Sequence, residues 1–314
     1  MATKTRLPIW YRDSVCIAHR RMPPMLQMLV PLFPNEDIHL ALTSGAPEPA
    51  HNRKTSIAVL GGKGNLLAFA KVAGSPLSRR LLEHEADAMA AMGADNETAR
   101  RAPKLLFAGD VGNRYVTVQS PLHGRPILGR LTDAHVRFLD SLHTSIEKPA
   151  SETNMVTELC SRLVELNPAR PELVAAIDSI MPILERTTVR STIVHGDFVP
   201  WNLRTDGQEI SAFDWEYAEL DGLPLMDRTH FMIQHRYELD GWTPAQAFEE
   251  LNDFAESRPQ DFDPDQVRAF QMVYLIDHLA RLFGERYAED EHMVHWYRRL
   301  LPHYPMPMRE AVFA

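Results

Sequence analysis

Thr192-Ile193-Val194-His195-Gly196-Asp197-Phe198-Val199-Pro200-Trp201-Asn202-Leu203 stands apart from the rest of the chain. A short β-branched run leads into His-Gly-Asp, and Asn202 follows Asp197 by five residues. Asp214 comes twelve residues after Asn202, at the end of a second strand-like run, Ile210-Ser211-Ala212-Phe213. With Asp206-Gly207 as the turn, the two runs form a predicted hairpin that presents Asp197, Asn202 and Asp214 together. Two carboxylates and an amide oxygen suit a hard cation such as Mg²⁺, which takes oxygen ligands and keeps substrate phosphates in its shell.

Around this stretch the chain reads as an ordinary globular protein. It has 314 residues, enough for two domains or one large fold with two lobes at about 150 residues per domain. An apolar fraction of 45% with 24% charged residues excludes disorder as the main theme. Two widely separated cysteines, Cys16 and Cys160, argue for reduced thiols in a cytoplasmic protein rather than a disulfide scaffold. A net charge of −9 speaks against a nucleic-acid surface, which needs a basic footprint, but leaves room for one polyanion in a local basic pocket. No membrane partner is expected. The first residues lack the apolar core of a signal peptide, and the apolar run 25–33 is far short of the roughly twenty residues of a span.

Residues 37–119 read as strands around one helix. Runs 56–60 and 66–72 flank Gly61-Gly62-Lys63-Gly64-Asn65, a hairpin signal, and 78–92 has helical composition closed by Gly93. Runs 105–108 and 115–119 form a second hairpin, turning over Gly109-Asp110 to Asn113. Pro121, Gly124 and Pro126 mark a connector, beyond which helices dominate. Leu128, Leu131, His135, Phe138, Leu139, Leu142 and Ile146 fall on one helical face, and 266–286 reads as a core helix. The expected class is α+β, with a small sheet-bearing lobe followed by a larger helical one.

HGDxxxxN followed by Asp at this distance resembles the aminoglycoside phosphotransferase and choline kinase family of kinase-like small-molecule phosphotransferases. Further pieces occur in matching order over about 43–231. Ala68-Phe69-Ala70-Lys71-Val72 resembles the strand that carries the nucleotide-phosphate lysine, and Glu85 resembles that lysine's partner. Gln119-Ser120-Pro121-Leu122 resembles the hinge that touches the nucleotide, and Phe138-Leu139-Asp140-Ser141-Leu142-His143 the family's leucine-histidine helix. The run from Phe213 to Asp227 resembles its DWE…G.P..D segment. The resemblance implies a protein-kinase-like two-lobed fold, with an extension at 1–36, a nucleotide lobe at 37–120 and a catalytic, substrate-binding lobe at 121–314.

It implies as well transfer of a phosphoryl group from ATP or GTP, with Mg²⁺, to a hydroxyl of a sugar, aminoglycoside or amino-alcohol. Asp197 is then the base, Lys71, Glu85, Gln119 and Leu122 serve the nucleotide, and Asn202 and Asp214 hold the metal. His195 and Asp227 brace the loop. Glu83 competes with Glu85 as the partner of Lys71. The phosphate-covering turn would fall at Thr43-Ser44-Gly45-Ala46, a weak Gly-rich loop.

The chain departs from protein kinases, which carry HRD, DFG and Ala-Pro-Glu motifs, and this favours a small-molecule acceptor over a protein. Every expected functional position is filled, which argues against a silent nucleotide-binding module. Other apparent motifs dissolve. Asp261-Phe262-Asp263-Pro264-Asp265 lacks the glycine and glutamate of a calcium loop and reads as a helix start. The 14 histidines form no zinc pattern. Glu238, Asp240, Glu249, Glu250 and Asp253 form either a solvated face or a wall for a cationic acceptor. Asp277, inside an apolar helix, needs a partner such as Arg281, His278 or a substrate amine.

Overall fold

Ile57, Val59, Ala68, Ala70, Val116 and Val118 are apolar, alternate along three neighbouring strands and are buried together, which closes one face of a sheet. The structure is a computed structural model that describes residues 22–43, 54–92, 100–127 and 129–304. The sheet comprises β1 (His39–Thr43), β2 (Lys54–Leu60), β3 (Leu66–Ala73), β4 (Leu105–Val111) and β5 (Arg114–Gln119), antiparallel in the order β1-β2-β3-β5-β4. Helix α1 (Pro24–Leu32) inserts Leu29, with no exposed surface, into that face. Helix α2 (Pro76–Met92) joins β3 to β4. Its Ala88, Met89 and Met92 leave the sheet and pack with Phe138, Phe198, Trp215 and Phe231, so one helix shares both halves of the molecule.

The second half contains two further three-stranded sheets. One comprises β6 (Arg125–Pro126), β9 (Leu203–Thr205) and β10 (Ile210–Ala212); the other comprises β7 (His143–Pro149), β8 (Thr188–Val194) and β11 (Glu219–Gly222). Around them lie α3 (Asp133–Asp140), α4 (Asn154–Leu166), α5 (Pro171–Arg186), α6 (Met226–His235), α7 (Pro244–Glu256), α8 (Pro264–Gly284) and α9 (His292–Leu300). Helix α8 is buried nearly all round and forms the axis of the largest core, with Leu159, Ile177, Leu184, Leu251 and Tyr297 against it. At its start Asp263 and Gln266 form a capping box, which accounts for the aspartate-rich stretch read as a helix N-terminus.

Several expectations differ from the structure. The helical face 128–146 stops at Asp140; His143–Pro149 is instead strand β7, paired with β8 through Glu147 and Arg190. Ile146 is half exposed there, because pairing with the β-branched strand next to it outweighs a helical period that Ile146 extends by only one residue. The second hairpin turns at Gly112-Asn113, with Val111 opposite Arg114, not from Gly109. Asp110 is held in the strand by its pair with Arg79 at 2.7 Å, and Gly112 supplies the left-handed φ of +65°. The hairpin turning at Asp206-Gly207 joins β9 to β10, so its first strand follows Asn202; the run Thr192-Ile193-Val194 ends β8 in another sheet. Ser44, Gly45 and Ala46 of the expected phosphate-covering turn, together with Cys16 and Leu128, lie outside the described residues. Among the described residues no helix is long and apolar enough to cross a membrane.

His135 lies within the central core, against Phe198 (6.1 Å between ring centres) and Phe231 (5.2 Å), and its Nδ1 accepts the Thr132 N–H at 3.1 Å. Burial pushes its pKa down to about 4 from 6.5. Its folded value lies below the unfolded one, so its contribution is complete above pH 6.5 and is lost as pH falls towards 4. Urea unfolding should show a loss of up to about 3 kcal/mol over that window. His135→Asn, which keeps an acceptor for Thr132 but does not titrate, should flatten the decline; an equally steep decline in the variant would remove His135 as its source.

Candidate active site

The loop after β8 is held from three sides. Asp227, at the start of α6, accepts the backbone N–H groups of His195 (2.7 Å) and Gly196 (3.0 Å). His195 accepts the Asp197 N–H at Nδ1 (3.2 Å) and donates from Nε2 to the Phe213 carbonyl (3.1 Å), with the Trp215 ring 4.4 Å away. Burial lowers the pKa of His195, which matches this neutral, one-donor, one-acceptor use of its ring. Gly196 has φ +77°, and a Cβ there would lie 2.2 Å from the Tyr217 carbonyl, so no other residue fits the turn without moving it. Arg281 from α8 donates to the Gly196 carbonyl at 3.2 Å and stacks over Tyr217 at 4.0 Å.

This frame sets the direction of Asp197. One carboxylate oxygen accepts from His230 Nε2 (3.1 Å) and the other from Asn202 Nδ2 (2.8 Å). Burial works against the charged form, but the His230 contact outweighs it, and the net pKa shift is downward. Asn202 also donates to the Asp197 carbonyl at 3.0 Å, which turns its own amide oxygen the other way. The Asn202 carbonyl accepts the Phe213 N–H at 3.0 Å, so Asp214 follows immediately beside it. Asp214 adopts φ +73°, an uncommon conformation for a residue with a side chain. The Asn202 amide oxygen and the Asp214 carboxylate are hard oxygen donors of the kind Mg²⁺ takes, with the rest of its shell left for phosphates and water.

From the sheet, Lys71 reaches Glu85 Oε1 at 2.5 Å and Asp214 Oδ1 at 2.8 Å. Glu83 is taken by Arg79 on the outer side of α2. Glu85 has no exposed surface, and its second carboxylate oxygen has no partner among the described residues. Burial would raise the Asp214 carboxyl, but Lys71 and Lys54 outweigh it and hold it well below the carboxylate range. Gln119 ends β5, buried with its Nε2 unpaired among the described residues, and Leu122 is half-buried beyond it. A buried amide with an open donor at a strand end is a fitting edge for a nucleobase.

Three participants were not singled out from the sequence. Lys54 donates to Asp214 Oδ1 at 2.8 Å and pairs with Glu216. Glu216 is pushed up to about 7, by burial and then by the Asp214 charge, against the pull of Lys54. His230 carries a readable signal, since it follows Asp227 by three residues on α6 and so shares its face. Glu216 is the glutamate of the DWE run, whereas Lys54 has no comparable mark. Asp277 pairs with Arg162 of α4, a partner outside its own helix, and its charge also bears on Arg281. Asp240 and Glu250 of the acidic stretch are both paired with Arg236.

Beside Asp197 opens a cavity of about 310 Å³, lined by Gly196, His230, Glu158, Glu219, Asp277 and Arg281 among others. The sequence matches the profile of the APH phosphotransferase enzyme family over residues 67–270, well over half of the chain. The chain belongs to this family. Solved structures share the phosphotransferase's kinase-like fold at low identity. A ternary complex of aminoglycoside phosphotransferase APH(4)-Ia with AMP-PNP and hygromycin B matches with 14% identity, 88% of this chain, 96% of that chain and a TM-score of 0.57. Ethanolamine kinase from Plasmodium vivax matches at 12% identity over 89% and 85% of the two chains, TM-score 0.57. The GDP complex of aminoglycoside 2'-phosphotransferase-IIIa matches at 16% identity over 89% and 96%, TM-score 0.52. No curated protein matches the phosphotransferase's sequence.

Removing the Asp227 carboxylate leaves two buried N–H groups without acceptors, each worth about 1–3 kcal/mol. Asp227→Ala should therefore lower unfolding free energy by about 2–4 kcal/mol in denaturant titrations. A loss under half a kcal/mol would mean that the loop is held by other contacts.

Proposed function

We propose that this phosphotransferase moves the γ-phosphoryl group of ATP or GTP, with Mg²⁺, to a hydroxyl of a small molecule that carries at least one amine, within the class of amino-sugars, aminoglycosides and amino-alcohols. The observation that carries this reading is Asp197 itself. Its carboxylate is fixed between His230 and Asn202; its neighbours Gly196 and His230 line the cavity, and Asn202 leads to Asp214 and the Lys71–Glu85 pair.

Phosphoryl transfer asks little covalent chemistry of a protein; alignment and neutralisation of charge dominate. An acceptor hydroxyl in the cavity would meet Asp197 as the group that orients it and takes its proton, a role worth about 10²–10⁴-fold. Lys71, steadied by Glu85, would bind oxygens of the α- and β-phosphates. Asn202 and Asp214 would hold Mg²⁺, which when bound neutralises charge across the phosphates. Gln119 and Leu122 would border the base. His195 and Asp227 would contribute through the loop they hold.

The amine in the acceptor is inferred from Glu158 and Glu219 in the cavity lining. The pKa of Glu219 is raised by its burial and further by the neighbouring Glu158 charge, a strain that a bound ammonium group would relieve. The acidic residues of the 238–253 stretch have no such relation to the cavity, and Asp240 and Glu250 already neutralise Arg236.

A nucleotide-consumption screen over amino-sugars, aminoglycosides, amino-alcohols and neutral sugars tests both parts. Turnover should appear with an amine-bearing alcohol and fall about 10²–10⁴-fold in Asp197→Asn, with Mg-nucleotide affinity retained. Undiminished turnover in that variant would remove Asp197 as the base. Asp214→Ala should abolish the Mg²⁺-dependent part of nucleotide binding in calorimetry; unchanged affinity would remove it as a metal ligand. Strong nucleotide binding without transfer to any acceptor would favour a silent binding module.

A further inference from the structure

The register of β2 against β3 sets Ser56 opposite Lys71 and Lys54 opposite Ala73. Lys54 is two residues from Ser56 along its strand, so Lys54 and Lys71 lie diagonally on the same face of the sheet, the face opposite the Ile57 and Val59 core. Their ammonium groups converge on one atom: each lies 2.8 Å from Asp214 Oδ1. Each is also tethered to a second carboxylate, Lys71 to Glu85 on α2 and Lys54 to Glu216. The two tethers differ in position. Glu85 lies in the fold's interior, whereas Glu216 lines the cavity beside Asp197. Lys54 thus bridges the carboxylate assigned to the metal and the wall of the acceptor cavity.

We propose that Lys54 is a second phosphate-binding cation, which contacts the γ-phosphoryl group as it passes from nucleotide to acceptor; this rests on the phosphotransferase reading of the site given above. In that transfer the bond between the γ-phosphorus and the β–γ bridging oxygen breaks. Its electron pair leaves with the nucleoside diphosphate. The acceptor oxygen bonds to phosphorus, and the hydroxyl proton goes to Asp197. Charge in the transition state is spread over the three equatorial oxygens of the moving group. A compact ammonium on a flexible stem, held at the boundary between donor and acceptor, is suited to follow those oxygens. A divalent cation on the Asp214 carboxylate would repel the two ammonium groups now on its Oδ1. Lys71 keeps Glu85, a partner with no exposed surface, whereas Lys54, whose second partner Glu216 borders the cavity, is the one directed to phosphate.

The test compares affinities for Mg-AMP-PNP and Mg-ADP by calorimetry, so that only a contact to the γ-phosphate changes their ratio. Lys54→Gln and Lys54→Met should each lower the AMP-PNP to ADP affinity ratio by about 10–100-fold, the range for a charge-assisted hydrogen bond. Lys54→Arg should keep the ratio within about fivefold of the unaltered protein. A thermal melt without nucleotide identifies which neutral variant is folded, and either one suffices. A ratio unchanged in a folded neutral variant overturns the role of Lys54 and leaves the site reading intact. An unaltered chain that binds neither nucleotide overturns the site reading and the proposal together.

Discussion

Asp214 is the point on which both halves of the molecule bear. Its Oδ1 accepts hydrogen bonds from two lysines of the N-terminal sheet, while its backbone continues the strand that pairs behind Asn202. Of the cluster Lys54, Lys71, Glu85, Asp214 and Glu216, Lys71, Glu85 and Glu216 are buried and Lys54 and Asp214 partly so, and a charge withdrawn from water without a partner is penalised. Its members are therefore mutually obligatory. Removing one partner of such a pair commonly costs about 3–5 kcal/mol, because the other charge is left stranded. The sheet, α2 and the segment after β10 are consequently tied to one another by the same groups that the proposed function assigns to phosphate and metal.

Rigidity around Asp197 comes from hydrogen bonds to the loop rather than from ion pairs. Asp227, His195 and Asn202 satisfy the loop's backbone and side-chain groups, and Gly196 permits an approach to Tyr217 that no Cβ would allow. None of these needs to touch a substrate. Their effect is to hold Asp197 in one orientation without any ligand, which is the preorganisation that the proposed role of Asp197 calls for. The core of Phe138, Phe198, Trp215 and Phe231 lies under this loop and also receives Met89 and Met92 of α2, the helix that carries Glu85. Positioning of the lysine's partner and positioning of the loop thus share one packed layer.

Much of this arrangement was legible in the chain itself. The spacing of Asp197 and Asn202 reflects a tight turn, that of Asn202 and Asp214 a hairpin, and Glu85 falls on the buried face of α2. The remainder is of a different kind. Ile146 satisfied a helical period yet lies in a strand, because pairing with β8 is a long-range interaction. For Asp277 the sequence offers Arg281, His278 or a substrate amine, and the ion pair to Arg162 of α4 is added only by helix packing. Glu238, Asp240, Glu249, Glu250 and Asp253 read either as a solvated face or as a wall for a ligand, and only the packed structure pairs two of them with a single arginine.

By itself, then, the sequence determined the order of the two halves, the family, and the residues whose chemistry is carried by local spacing. Tertiary structure alone decided that Lys54 joins Lys71 on one oxygen, that His230 meets Asp197, and that Glu158 and Glu219 border the same cavity. The reason is physical. Spacing along a strand or helix specifies which way a side chain faces, but strand register and helix packing, set by burial of the whole core, determine what it meets there.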